Sequence, residues 1–452
     1  MTTVSAAGLP EQAVRARARH GAAAAFPDVG RYGAVLLGSG SHDASYGPDG
    51  SYGPDGSYGP DGSCGHEADA LDRARLVPPV FVPRRLEKLI ELAREPLFSD
   101  VELTTAVGGF TAPMPVYVSA FGSTAAAGVS LGAAAARQAG RLGLPLVIGE
   151  NVVPVSGYGR QEGPGRHSML ARIAAYAAEL PDGLGGVVVQ QSTEDADAEV
   201  WNLVYSDPST RGLLESGRLA FELKVGQGAK PGLGGMTVVP RDEAARLADR
   251  YQLQEVYGPG TDRVLRSSSP GTFTDEVLRQ QIRLMRNNFP RARVWVKLPP
   301  ARDVAAAAAV AWAAGADAVT VDGAEGGSGW APYAFLDHVG LPLAECLRRI
   351  GRPAGCLLAS GRMWEGARAV KALALGATAV GLGRAALLAA DEDPDEGLVR
   401  LLDCLALELR MLISALGVYR PGDLGPADLW LDQGPATAGA DAATSEREDR
   451  HV

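Results

Sequence analysis

Cysteine and histidine are scarce in this chain, four of the one and six of the other among 452 residues. Cys64, Cys346, Cys356 and Cys404 form no CxxC pair, and none stands beside a histidine at ligand spacing. That gives neither a disulfide framework nor a zinc site, so no metal ligand is assigned and a reduced, cytoplasmic setting is expected. Long apolar runs are missing too. No stretch approaches the length of a bilayer span and no leader-like apolar segment opens the chain, so a soluble protein without membrane contact is expected. Positive charge is in deficit, with 43 Lys and Arg against 53 Asp and Glu for a net charge of −10. Lacking a basic stripe to neutralise phosphates, the chain is not expected to bind nucleic acid. Its one basic cluster, RARAR at 15–19, falls in a segment that reads as poorly ordered.

What is present suits a large globular core: 46% hydrophobic and 21% charged residues. Residues 1–66 differ from the rest. SYGPDG occurs three times in tandem between Ser45 and Gly62, a composition with nothing to bury, and reads as a disordered extension. The tail 433–452 reads the same way. Between these ends, eight short β-branched runs recur at 115–120, 145–150, 186–191, 220–225, 293–298, 318–323, 355–360 and 379–384. Helical patterns at 124–142, 165–180, 193–215, 274–289, 301–314, 331–350, 362–375 and 396–416 separate and follow them. Gly315, Gly376 and Gly417 follow helix ends, where a left-handed cap is expected. Apolar strands each followed by a helix argue for a parallel sheet, and eight such units for an α/β fold, a (β/α)8 TIM barrel over 115–425. Residues 67–114 would be an N-terminal cap. Residues 226–273 would be a long loop after the fourth strand, a length that goes with function.

In such a barrel the chemistry sits at the carboxyl ends of the strands. The first ends in Ser119, the second in Glu150, the third in Gln190 and the fifth in Lys297. The sixth continues as DGAEGGSG, carrying Gly326 and Gly327. Glycine turns after the last two strands, at Gly361 and at Gly381 and Gly383, each precede a helix and form the expected phosphate cradle, with Arg384 or Arg362 adding charge. Lys297 emerges from a buried strand and needs an anionic partner, either a bound group or a core carboxylate such as Asp322. Glu150 reads as a proton donor or acceptor, or as a partner for a lysine. His338 reads as a mid-helix packing residue. After the fourth strand comes KVGQGAKPGLGG (224–235), in which Lys224, Gln227 and Lys230 offer donors to an anion or carbonyl amid glycines that let backbone approach closely.

GENVVP (149–154), LKVGQGAKPGLGG (223–235), SSPGTFTDEVL (268–278), VWVKL (294–298), VDGAEGGSGWAP (321–332) and ALALGATAVGLGRAAL (372–387) together resemble the FMN-binding synthase domain of glutamate synthases. The similarity runs over about residues 90–420, and the lysine–glutamine–lysine loop is its most specific element. The resemblance implies an oxidoreductase holding FMN at the strand ends, which reductively aminates a 2-oxo acid by hydride transfer to an imine. It implies catalytic or substrate-loop roles for Lys224, Gln227 and Lys230, and an acid–base role for Glu150. Flavin contacts are implied at Ser119, Gln190, Lys297, Gly326 and Gly327, and phosphate contacts at Gly361, Gly381, Gly383 and Arg384.

The chain departs from that family in four places. There is no amidotransferase domain with an N-terminal cysteine, and 388–404 offers only Cys404, so no iron–sulfur cluster is expected. The flavin-side DGG is Ser360-Gly361-Arg362, and the paired histidines before the fourth helix are Ser268-Ser269-Pro270-Gly271. No GxGxxG opens a separate nicotinamide domain, so the electron donor is expected to be a partner subunit, a diffusible carrier or the substrate. Three alternatives stay open: a 2-hydroxy acid oxidase-like enzyme, a type-2 isopentenyl diphosphate isomerase-like enzyme suggested by GGSGW (326–330), and a non-catalytic flavin-binding homologue.

Overall fold

The computed structural model describes residues 8–431, except 28–68, 121–127, 150–163, 193–197, 243, 245–247, 249–250, 259 and 327–330. The SYGPDG repeats and the tail from Gln433 lie outside the described residues.

Eight parallel strands close on themselves: β1 (Val116–Val118), β2 (Leu146–Ile148), β3 (Val187–Ser192), β4 (Leu219–Lys224), β5 (Arg293–Leu298), β6 (Ala318–Asp322), β7 (Cys356–Ser360) and β8 (Ala379–Leu382). They pair in chain order, and β8 returns to β1 through Gly381 opposite Tyr117. The surrounding helices of eight or more residues are α1 (Glu11–His20), α2 (Pro83–Leu92), α3 (Gly128–Arg141), α4 (Pro164–Ala177), α5 (Ala198–Ser206), α6 (Asp275–Asn288), α7 (Val304–Ala313), α8 (Leu343–Ile350), α9 (Gly366–Ala374), α10 (Arg384–Glu392) and α11 (Gly397–Ala415). Local chemistry sets their ends. Thr274 caps α6 by accepting from the Val277 amide at 3.2 Å, with Asp275 and Glu276 in its first turn. Gly315, Gly376 and Gly417 take φ of 102°, 102° and 74°, the left-handed caps expected.

The strands are not uniformly apolar. Val294, Val296 and Leu298 of β5 pack outward in the large core under the helices, while Trp295 joins an inner cluster with Tyr117, Val147, Val188, Ala220 and Leu358. The same alternation runs through β4, where Phe221 and Leu223 face out and Ala220 faces in. A hairpin (Thr105–Val107 with Phe110–Ala112) plugs the amino-terminal end. Its Gly108 carbonyl accepts from Trp295 Nε1 at 2.9 Å. Continuing the alternation toward the carboxyl ends brings Gln190, Glu222, Lys297, Thr320, Ser360 and Gly381 inward. An apolar layer therefore carries a polar one above it, and the polar layer floors the mouth.

Several expectations need correction. Residues 11–20 lie within the segment read as disordered, yet they form α1, with Val14 and Ala18 fully buried. The helix expected at 193–215 divides into α5 and a short five-residue helix at Arg211–Glu215, because Pro208 follows an extended Asp207 (ψ 131°). The helix expected at 331–350 divides at Gly340 (φ 103°) and Pro342. His338 consequently ends the short helix Tyr333–His338 and is not mid-helix. The long loop 226–273 holds a three-stranded antiparallel sheet of its own, Gly234–Pro240, Arg263–Ser268 and Gln252–Gln254.

Candidate active site at the barrel mouth

Above the polar layer opens a cleft of about 420 Å³, lined by Ser119, Lys297, Gly326, Gly361, Gly381, Gly383 and Arg384, with Asp322, Ser360, Arg362, Met363 and Leu9 among the remaining walls. All but the last of these belong to strand ends or the turns that follow them, so residues from five strands expected to carry the site meet in one place. Glu150 and Gly327 lie outside the described residues.

Each glycine in the cradle has its own reason. A Cβ at Gly381 would stand 2.5 Å from the Tyr117 ring. Gly361 has φ 144°, which a side chain would strain. Gly383 is the residue before α10 and has nothing within 4 Å of an added Cβ, so backbone at the helix start is open to the cleft. Positive helix ends of this kind attract anions. Arg362, a non-glycine at φ 51°, is buried and donates to Asp72 at 2.9 Å. Its charge is thereby matched, although its Nε finds no acceptor among the protein groups. Arg384 donates to the Glu325 carbonyl at 3.2 Å.

Under the cleft the polar layer is tightly wired. Lys297 Nζ lies 3.0 Å from Asp322 Oδ2, the core carboxylate expected as one of its candidate partners. Asp322 also accepts from Ser360 Oγ and, at 3.3 Å, from the Gly228 amide. Glu222 is a residue that sequence reasoning passed over. Its carboxylate accepts from Gln190 Nε2 and, at 2.9 Å, from Thr320 Oγ1. Burial pushes its carboxyl above the usual range, and Lys297 only partly offsets that. Beside it the Tyr117 hydroxyl is pushed well up by burial and by the charges of Glu222 and Asp322. Gln190 is thus turned to Glu222 and is absent from the cleft lining. The available signal was alternation: in LAFELK every second residue faces inward, which puts Glu222 in the barrel interior.

Lys224 stands in register between Ser192 of β3 and Lys297 of β5, so two lysines share the mouth on adjacent strands. The loop beyond them folds over the turn after β6. At Gly228 an added Cβ would come 2.2 Å from the Gly323 carbonyl oxygen, so only glycine allows this approach. Gln227 is half-buried, and Lys230 is buried and donates to the Met236 carbonyl.

A second buried network braces the cradle from behind. Arg368 meets Asp69 at 2.8 Å, Asp72 at 2.6 Å and Glu325 at 2.8 Å. Burial works against the charge on Asp69, but Arg368 holds its carboxyl down at about 2. Glu325 goes the other way: burial lifts it to about 7 despite Arg368, with Asp69 adding repulsion. Among the described residues no cluster of His, Cys, Asp and Glu could hold a metal ion, and no helix is long and apolar enough to cross a membrane.

Comparisons with known proteins agree with this geometry. Residues 211–391 match the family model described as a conserved region in glutamate synthase. An archaeal-type glutamate synthase (NADPH) of Thermotoga sp. strain RQ2 is 36% identical over 178 residues, 37% of this chain and 34% of that protein. A glutamate synthase large subunit-like protein of Rhizobium meliloti is 31% identical over 280 residues, 59% of this chain and 60% of its own length. The alignment with the Thermotoga relative thus spans about a third of that protein. Among solved structures, a mutant flavocytochrome b2 with bound pyruvate superposes with TM-score 0.52 at 18% identity, covering 82% of this chain and 79% of its own. An (S)-mandelate dehydrogenase mutant gives 0.51 at 20% identity, covering 80% and 89%. At such identities these two establish the barrel fold alone.

Proposed function

We propose that this chain, which belongs to the glutamate synthase family through its synthase-type barrel, is an FMN-dependent oxidoreductase acting on a 2-oxo acid and its amino acid or imine counterpart. The observation that carries the reading is the seating of the KVGQGAK loop. Its Gly228 amide donates to Asp322 beside the cleft that Gly361, Gly383 and Arg384 also line.

The residues present fit FMN. The open start of α10, the arginine at 384 and the unsatisfied Nε of Arg362 suit a phosphate monoester. Bound there, FMN would supply two-electron hydride chemistry between its ring and the carbon bearing nitrogen.

The chain's own groups would do the rest. Arg384 and the α10 amides hold the phosphate, while Ser119, Gly326 and Gly381 leave room for the ring. Lys297, neutralised by Asp322, offers a fixed dipole instead of a free positive charge. Lys224, Gln227 and Lys230 bind the carboxylates of the 2-oxo acid, where cationic donors stabilise an anionic substrate. Glu150 is assigned the proton donor and acceptor role at the substrate nitrogen. The electrons come from a partner subunit, a diffusible carrier or the substrate itself.

Anaerobic reduction followed by addition of 2-oxo acids with and without ammonium tests this. Reoxidation of the flavin that needs both components is expected. Reoxidation by neither, across a panel of 2-oxo acids, would remove reductive amination and leave the non-catalytic flavoprotein reading.

A further inference from the structure

The RARAR cluster finds its use in the fold, and with it the short segment before α1 acquires a place at the site. Leu9 is 6% exposed and lines the same cleft as Gly383 and Arg384. The nearest atom to a Cβ built on Gly8 is Arg384 Nη1, at 4.0 Å. A leucine in a chain-terminal segment stays there only if something fixes the segment, and α1 does so. Arg15 binds Asp391 at 2.8 Å and Glu392 at 3.0 Å, both at the far end of α10. Arg17 binds Glu408 of α11 at 2.6 Å and lies 4.4 Å above the Trp364 ring. The Ala18 carbonyl accepts from Arg400 at 2.6 Å.

These contacts fix a register. Leu9 lines the cleft with Arg384, where α10 begins, and Arg15 meets Asp391 and Glu392, where α10 ends. α1 therefore runs alongside α10 in the same direction, and both begin at the cleft.

We infer that Leu9, clamped by Arg15 and Arg17, is an unassigned wall of the cofactor site that covers its phosphate end. This rests on the flavin reading above. An apolar lid over an anion excludes water, which strengthens the attraction of Arg384 and the α10 amides for phosphate and blocks its exit.

The test uses the full chain and follows FMN by fluorescence quenching on titration and by release into excess apo-flavodoxin-type scavenger. Leu9→Glu places a carboxylate beside the phosphate, and Leu9→Gln is its neutral control of the same shape. Leu9→Glu is expected to raise Kd by about tenfold over Leu9→Gln, the change that roughly 1.4 kcal/mol of repulsion produces. The double variant R15A/R17A is expected to release FMN several-fold faster, with far-UV dichroism unchanged. If that variant unfolds, the Leu9 pair alone decides. Equal affinities for Leu9→Glu, Leu9→Gln and the parent chain overturn the inference while leaving the flavin reading intact. Failure of the parent chain to take up FMN at all removes both.

Discussion

Lys297 Nζ and Asp322 Oδ2 lie 3.0 Å apart at the mouth of the barrel, with side chains 7% and 2% exposed. Removing one partner strands the other charge in a buried site, at a cost of about 3–5 kcal/mol. Lys297→Met and Asp322→Asn should each lower stability by that order. The double variant K297M/D322N should recover most of it, because no lone charge remains. FMN affinity should stay reduced in Lys297→Met and in the double variant alike. Denaturant unfolding with FMN titration of the three proteins checks this. Additive losses of stability would mean the two groups do not act as a pair.

The barrel was legible because its signals are local. β5 runs over Arg293–Leu298, as its β-branched residues suggested, and the glycines after α7, α9 and α11 mark chain reversals that need positive φ. Cleft residues on strand ends were legible for the same reason: strand order and direction place them. What could not be read was pairing at long range. Arg362 is tied to Asp72, 290 residues away, and Arg15 to Asp391, 376 away. A run such as RARAR looks solvated until its acidic partners on α10 and α11 come into view. Glu222 is not legible because LAFELK reads as an apolar strand buried on both faces, whereas its inner face turns polar toward the mouth.

Glu222 supports a sharper expectation. Gln190 and Thr320 both donate to it in a fully enclosed layer. Glu222→Leu leaves both donors without an acceptor, at about 1–3 kcal/mol each. Glu222→Gln keeps one acceptor oxygen and sheds the charge that burial disfavours. It should therefore be clearly the more stable of the two variants. Chemical denaturation at pH 7 measures the gap, and a Glu222→Leu protein as stable as Glu222→Gln would show these hydrogen bonds to be unimportant.

Lys230 is buried, and its ammonium reaches the Met236 carbonyl inside the loop assigned to substrate. It does not line the cleft set by the glycine turns. Lys230→Ala should accordingly bind FMN within about threefold of the parent chain, less than 1 kcal/mol. Substrate-dependent reoxidation should fall by about 100-fold or more, as for loss of one preorganised charge-stabilising donor. Stopped-flow reoxidation separates the two effects. Unchanged rates would end the substrate role of this loop.

Glu325 gives the chain a pH dependence whose sign can be worked out. Its carboxyl is lifted from 4.5 to about 7 in the folded protein, first by burial and then by Asp69, with Arg368 pulling the other way. A group with a raised folded pKa binds more proton when folded than when unfolded between those two values. Stability therefore declines as pH rises from 4.5 to 7, and the deprotonated carboxylate is penalised above that. Glu325→Gln mimics the protonated form and leaves Arg368 its contacts with Asp69 and Asp72. Its melting temperature should match the parent near pH 5 and exceed it by a few degrees at pH 8, since each kcal/mol shifts a protein of this size by roughly 1 °C. Thermal melts of both proteins across pH 5–8 make the comparison. A constant offset between the two curves would show that Glu325 does not titrate in this window.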